Sequence, residues 1–135
     1  MRGRNQDDGS TPRDQRHDWW GVYLDAPDAH ALARFYHDLL GWPMETDGDN
    51  AIVAPADGVG YLGFQQATAY EKPVWPPRAG AQQMMLHLDF EVEDLEAAVA
   101  HAVELGAEVA GHQPQRNVRV LMDPAGHPFC LYAGG

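Results

Sequence analysis

Residues 85–105 constrain the fold more than any other stretch of the chain. From Met85 to Val92 apolar and polar residues alternate. Leu86, Leu88, Phe90 and Val92 share one face, while Met85, His87, Asp89 and Glu91 share the other, the period of a strand packed on one side only. At Asp94 the period changes. Leu95, Ala98, Val99, Ala102 and Val103 recur at helical spacing, Asp94 is placed to cap the helix start, and Gly106 is placed to end it.

The same plan occurs earlier in the chain. Trp19–Asp25 reads as a strand with Val22 and Leu24 on its packed face. Asp28 then caps a helix with an apolar face of Ala29, Leu32, Phe35, Tyr36, Leu39 and Leu40. Gly41 stops that helix and Pro43 prevents its resumption. His30, Arg34, His37 and Asp38 fall on its polar side, where a solvated face is expected. A shift of 66 positions lays Val22 on Leu88, Leu24 on Phe90, Asp28 on Asp94 and Leu39 on Leu105, with Gly41 meeting Gly106 after one deleted residue. Strand, cap, helix face and terminating glycine agree in order, which marks an internal repeat.

Short strands complete each copy. Asn50–Ala54 and Gly60–Gln65 follow the first helix, with an Asp57-Gly58 turn between them. After the second helix come a short strand at 107–110, a strand at 118–122, a turn at Asp123-Pro124-Ala125-Gly126 and a last strand at 127–132. The second half shows β-α-β-β-β, and on the strength of the repeat each half is read as β-α-β-β-β, although only two later strands are located in the first. The fold class is α+β, with two βαβββ modules in tandem forming a curved sheet around a cavity. The modules are expected at 19–69 and 82–133 of a domain covering 19–135. A Pro-rich connection over 70–81 joins them, and its Trp75 is a candidate pocket wall or lid.

Composition limits the function. Residues 1–18 carry four Arg and four Asp and no aliphatic residue after Met1, and they read as a flexible tail. The net charge of −11 therefore belongs to the rest of the chain, where only Arg34, Lys72, Arg78, Arg116 and Arg119 are positive. Such a body repels phosphate backbones, so nucleic acid is not an expected partner. No apolar run approaches a membrane span, and no membrane partner is expected. A lone cysteine, Cys130, and the lack of a signal-peptide core make the cytoplasm the expected compartment.

Three stretches, LDAPDAHALARFYHDLLGWP, HLDFEVEDLEAAVAHAVELGAEV and VRVLMDPAGHPFCLY, make the chain resemble the vicinal oxygen chelate superfamily of glyoxalase I, bleomycin-resistance proteins and extradiol dioxygenases. With WPPRAGAQQMMLHLD, the second and third are most similar to small glyoxalase-like bacterial proteins. The resemblance implies paired βαβββ modules, usually a homodimer, and a ligand cavity inside the sheets. It does not imply one reaction, since one fold hosts many.

The resemblance also implies where metal ligands would stand: inward residues on the first and last strands of each module. These positions fall on Gly21, on Gly63 or a neighbour, on His87, and on Cys130 where the family writes Glu. One donor of the four survives, opposite a soft thiol. His87 and Cys130 are too few for catalytic zinc, which takes three protein ligands. Asp89 or Gln65 add to them only if their side chains converge. No metal ligand is assigned and no cofactor is expected, although a divalent metal stays open.

Three uses remain open for the site. The first is a binding module that holds a hydrophobic or aromatic compound, for sequestration or resistance, without a working metal centre. The second is a divalent-metal-dependent lyase, isomerase or dioxygenase. The third is a metal-free enzyme with His87 as base. The candidate ligand-binding residues are Tyr23, Tyr61, Trp75, Met85, His87, Asp89, Arg119, Cys130 and Tyr132, with His87 the candidate catalytic group. Arg119 would belong to the cavity if it points inward toward Asp89, and to the rim otherwise. His127 is expected to serve the turn that precedes it.

Overall fold

A computed structural model describes residues 2–4 and 9–134. It divides into two compact units, Met1–Ala67 and Thr68–Gly135.

In the first unit, β1 (Trp20–Ala26) leads into α1 (Ala29–Leu40), followed by β2 (Met44–Asp47), β3 (Asn50–Val53) and β4 (Gly60–Gln66). The sheet order is β1-β4-β3-β2, with β1 parallel to β4 and the rest antiparallel. Asp28 accepts the Ala31 N–H and Gly41 takes the left-handed φ of 70°, so both helix signals act as expected. Ala29, Leu32, Ala33, Phe35 and Tyr36 are buried against Leu24, Leu62, Phe64 and Val53. Tyr36 stacks on Phe64 at 5.5 Å between ring centroids, a contact worth about 0.5–1.5 kcal/mol beyond burial.

In the second unit the order repeats: β5 (Leu88–Val92), α2 (Leu95–Glu104), β6 (Glu108–Val109), β7 (Val118–Met122) and β8 (Pro128–Ala133), in a sheet ordered β5-β8-β7-β6. Asp94 accepts the Ala97 N–H, and Gly106 follows the helix at φ 115°. Phe129, Leu131, Leu121 and Val120 form the buried centre, and Phe90 meets Phe129 edge on at 6.5 Å. On α2 only Ala102 is buried.

The α+β class and the tandem modules stand as read, with four local differences. The strand expected from Met85 begins at Leu88, because its only ladder partner is β8, where the rungs start at Phe129. Pro128 has no N–H to donate to a further rung. Strand β2 was not legible, since METD is polar, without alternation, and lies at a sheet edge. His30 and His37 are not simply solvated. His30 Nε2 meets the Gly48 and Asn50 carbonyls at 2.8 and 3.1 Å, and His37 Nδ1 meets the Trp42 carbonyl. Finally, the flexible tail read over 1–18 lies partly outside the described residues. Within it Arg13–Gln15 form a 3-10 turn, Arg13 Nε donates to the Gly58 carbonyl at 2.8 Å, and Arg16 pairs with the buried Asp18.

Candidate functional site

Each sheet has one face under its helix and one open face, and register assigns side chains to them. In the second module Leu88 and Phe90 lie opposite Phe129 and Leu131 under α2, while Asp89 and Glu91 lie opposite Cys130 and Tyr132 on the open face. His87 immediately precedes this strand. Its Nε2 stands 3.2 Å from Asp89 Oδ1, an ion pair whenever the imidazole is protonated. The donor atoms of His87, Asp89 and Cys130 all lie within 4.8 Å of one another. Asp89 thus converges, which alternation alone left open.

The Cys130 thiol is pushed up to about 11 from its ordinary 9.0, first by burial, then by the negative charge of Asp89, then by the hydrogen bond it gives that carboxylate. At neutral pH it is a neutral S–H, not a nucleophile.

The first module presents aromatic rings at the corresponding places. Gly21 lies opposite Tyr61, and Tyr23 opposite Gly63, on β1 and β4. A Cβ built on Gly21 would stand 2.2 Å from the Tyr61 ring, and one on Gly63 would stand 2.6 Å from the Tyr23 ring. Each tyrosine therefore lies across the neighbouring strand's glycine. The two rings meet edge to face at 6.2 Å and 87°.

The remaining candidates separate. Tyr132 shares the open face of the second sheet, opposite Glu91 and Val118. Met85 is 82% exposed, ahead of the strand. Trp75 donates its indole N–H to the His112 carbonyl at 3.1 Å and lines a hollow of ≈ 370 Å³ with Lys72, Glu108 and Met122. Arg119 requires correction. Its partner on β8 is Leu131, which puts it on the face opposite Asp89 and Cys130, and its Nη1 donates to the Arg116 and Val118 carbonyls. His127 serves the turn as expected. Its N–H and that of Ala125 donate to Asp123 Oδ1, and its Nδ1 meets Asp123 Oδ2 at 2.8 Å.

Sequence reasoning missed Arg13, Trp19 and Glu45 as hollow-lining residues. With Ile52 and Tyr61 they line a hollow of ≈ 390 Å³ in the first module. Trp19 opens the expected first strand and Arg13 lies in the expected tail; the Glu45–Ile52 pairing needs a strand that METD does not announce.

A model of the glyoxalase-like domain matches residues 21–132. The chain belongs to this glyoxalase-like family. No curated protein matches it. Among solved structures it is similar to a glyoxalase/bleomycin resistance protein/dioxygenase family enzyme from Burkholderia phytofirmans PsJN, at 18% identity and TM-score 0.63 over 84% of this chain and 95% of that one. It is also similar to TnmS3, an antibiotic binding protein from Streptomyces sp. CB03234, at 20% and 0.58 over 87% and 95%. A third is the fosfomycin resistance protein FosX from Mesorhizobium loti, at 14% and 0.58 over 85% and 89%. At these identities the likeness shows the fold.

The metal centre that the superfamily resemblance implies needs donors from both modules. Gly21 and Gly63 offer none, and the space their side chains would take is filled by Tyr61 and Tyr23. The residues present do not fit that four-donor centre. The second module alone retains one nitrogen, one oxygen and one sulfur donor, in His87, Asp89 and Cys130.

Proposed function

We propose that this glyoxalase-like chain is a small-molecule-binding protein, sequestering a hydrophobic or aromatic compound. The observation that carries the reading is the glycine–tyrosine interlock: at two donor positions the chain has ring faces where a metal site needs lone pairs. Tyr23 is 47% exposed on the open face, so its ring is available for stacking. Tyr61 supplies the second ring in the first module. In the second module the open face carries Tyr132, His87, Asp89 and Cys130, with Trp75 and Met85 outside the strands, and Arg119, whose ladder partner is Leu131, is not counted among these contacts. Apolar walls with a few polar groups are the ordinary form of such a site. The protein acts as a cytoplasmic homodimer in this reading. TnmS3 is an antibiotic binding protein and FosX a fosfomycin resistance protein, and binding or resistance is the use their names support here.

A second reading, a thiophilic divalent ion held by His87, Asp89 and Cys130, is favoured by the convergence of three donors, the number an open zinc site takes from protein. One titration series separates the two. Quenching of tryptophan fluorescence by flat aromatic antibiotics, without turnover, is expected to weaken about tenfold in Tyr23→Ala and Tyr61→Ala, the scale of a lost aromatic contact. Cobalt(II) giving a thiolate-to-metal absorption band that disappears in Cys130→Ser would install the metal reading instead. Turnover lost in His87→Ala with binding intact would make His87 a catalytic base.

A further inference from the structure

Two of the hollows, one in each module, share a plan, although Tyr61 joins only the first. In both, a segment ahead of the module's first strand puts a tryptophan into the lining: Trp19 before β1, and Trp75 before β5. Each indole N–H is held by a backbone carbonyl, of Arg16 in one case and His112 in the other, both at 3.1 Å. Each hollow has one cation from the same segment, Arg13 or Lys72. Each has a carboxylate from the strand after the helix, Glu45 on β2 or Glu108 on β6; the second hollow also includes Asp123, whose carboxylate is engaged by His127. That glutamate faces an apolar residue across the ladder, Ile52 in the first module and Met122 in the second. The volumes are ≈ 390 and ≈ 370 Å³.

The charges in each hollow are not spent on one another. Among the described residues no ion pair joins Arg13 to Glu45 or Lys72 to Glu108. Arg13 gives only its Nε, to the Gly58 carbonyl, and its guanidinium lies 4.3 Å over the Trp19 ring. Arg13 and Trp19 also precede residue 21, where the family match begins, so the first hollow is not made by the matched domain alone.

We propose that each module carries its own binding site for a flat aromatic zwitterion, a ring bearing both an ammonium and a carboxylate, so that one chain holds two equivalent sites. The ring lies against the tryptophan and the facing Ile52 or Met122. The carboxylate accepts from Arg13 or Lys72, and the ammonium donates to Glu45 or Glu108, each a charge-assisted hydrogen bond. The net charge of −11 works against a purely anionic ligand and offers nothing against a zwitterion.

The proposal rests on the small-molecule-binding reading; its first hollow shares Tyr61 with the tyrosine interlock, whereas Trp19, Arg13 and Glu45, and the whole second hollow, lie outside that interlock. Calorimetry with free L-tryptophan tests it, with indole-3-acetate and tryptamine as single-charge controls. Two sites per chain are expected. Trp19→Ala should remove one of them and Trp75→Ala the other. Arg13→Gln and Lys72→Gln, which leave the indoles in place, should each weaken one site about tenfold, the scale of one charged hydrogen bond. Both controls should bind about tenfold more weakly. Tyr23→Ala should leave both sites intact. A single site, or two sites indifferent to Trp19, Trp75, Arg13 and Lys72, overturns the proposal while leaving the functional reading standing. Equal binding of tryptamine or indole-3-acetate overturns the zwitterion.

Discussion

Set side by side, the two modules differ least in backbone and most on their open faces. The ladders pair β1 with β4 as they pair β5 with β8, so Gly21 corresponds to His87, Tyr23 to Asp89, and Gly63 to Cys130. Where the second module gathers a nitrogen, an oxygen and a sulfur, the first has two glycines and the rings that cross them. The repeated strand–cap–helix plan is kept, and these open-face positions are where the two copies carry different chemistry. Where a glycine stands on one strand, a tyrosine ring from the next occupies the space its side chain would take.

The cores differ as well. Five residues of α1 are buried but only Ala102 of α2, while Val103 and Val109 are nearly half exposed. The strongest way to break the comparison is therefore in the cores. Phe64→Ala and Phe129→Ala each remove a fully buried ring and are expected to cost about 3–5 kcal/mol in denaturant unfolding. If Phe129→Ala costs no more than a surface change, the second module has no core of its own.

Cys130 sharpens the contrast at the Gly63 position. Its alkylation by iodoacetamide should rise with pH toward an inflection at about 11 in place of 9.0. Burial and Asp89 both disfavour the thiolate, so the reactive form appears only as pH climbs through the raised value. Asp89→Asn removes a negative neighbour and should move the inflection down. An unshifted inflection in the wild-type protein would contradict both the burial of the thiol and its contact with Asp89.

The smallest expected effect tests the interlock itself. Gly21→Ala forces the Tyr61 ring aside, whereas in a Tyr61→Ala background the ring that the methyl meets is gone. The double-mutant cycle should show coupling of about 1 kcal/mol, within the range for residues in contact. Additivity would mean that the ring does not occupy the glycine's place.

Much of the architecture was legible because its causes are local. Asp28 and Asp94 cap helices through hydrogen bonds spanning three residues, and Gly41 and Gly106 end them through backbone conformations that glycine adopts freely. Strand limits were less legible. Where β5 begins depends on what β8 offers it, and β2 exists because β3 pairs with it, not because METD favours a strand. Arg119 shows the same limit at the site: alternation along β7 gives two faces, but only the pairing with Leu131 says which one lies under the helix.

By itself the sequence determined the duplicated strand–cap–helix plan and the acidic balance, because period and charge are properties of a chain read in order; that donors are missing at Gly21 and at Gly63 or a neighbour is what the family resemblance implied. Only the tertiary structure decided that Tyr61 and Tyr23 fill those places, that Asp89 joins His87 and Cys130, and that Trp19 and Trp75 stand over matching hollows. Those contacts join residues on different strands and loops. Their distances follow from ladder register and from where a preceding segment comes to rest, and neither is written in any one stretch of the chain.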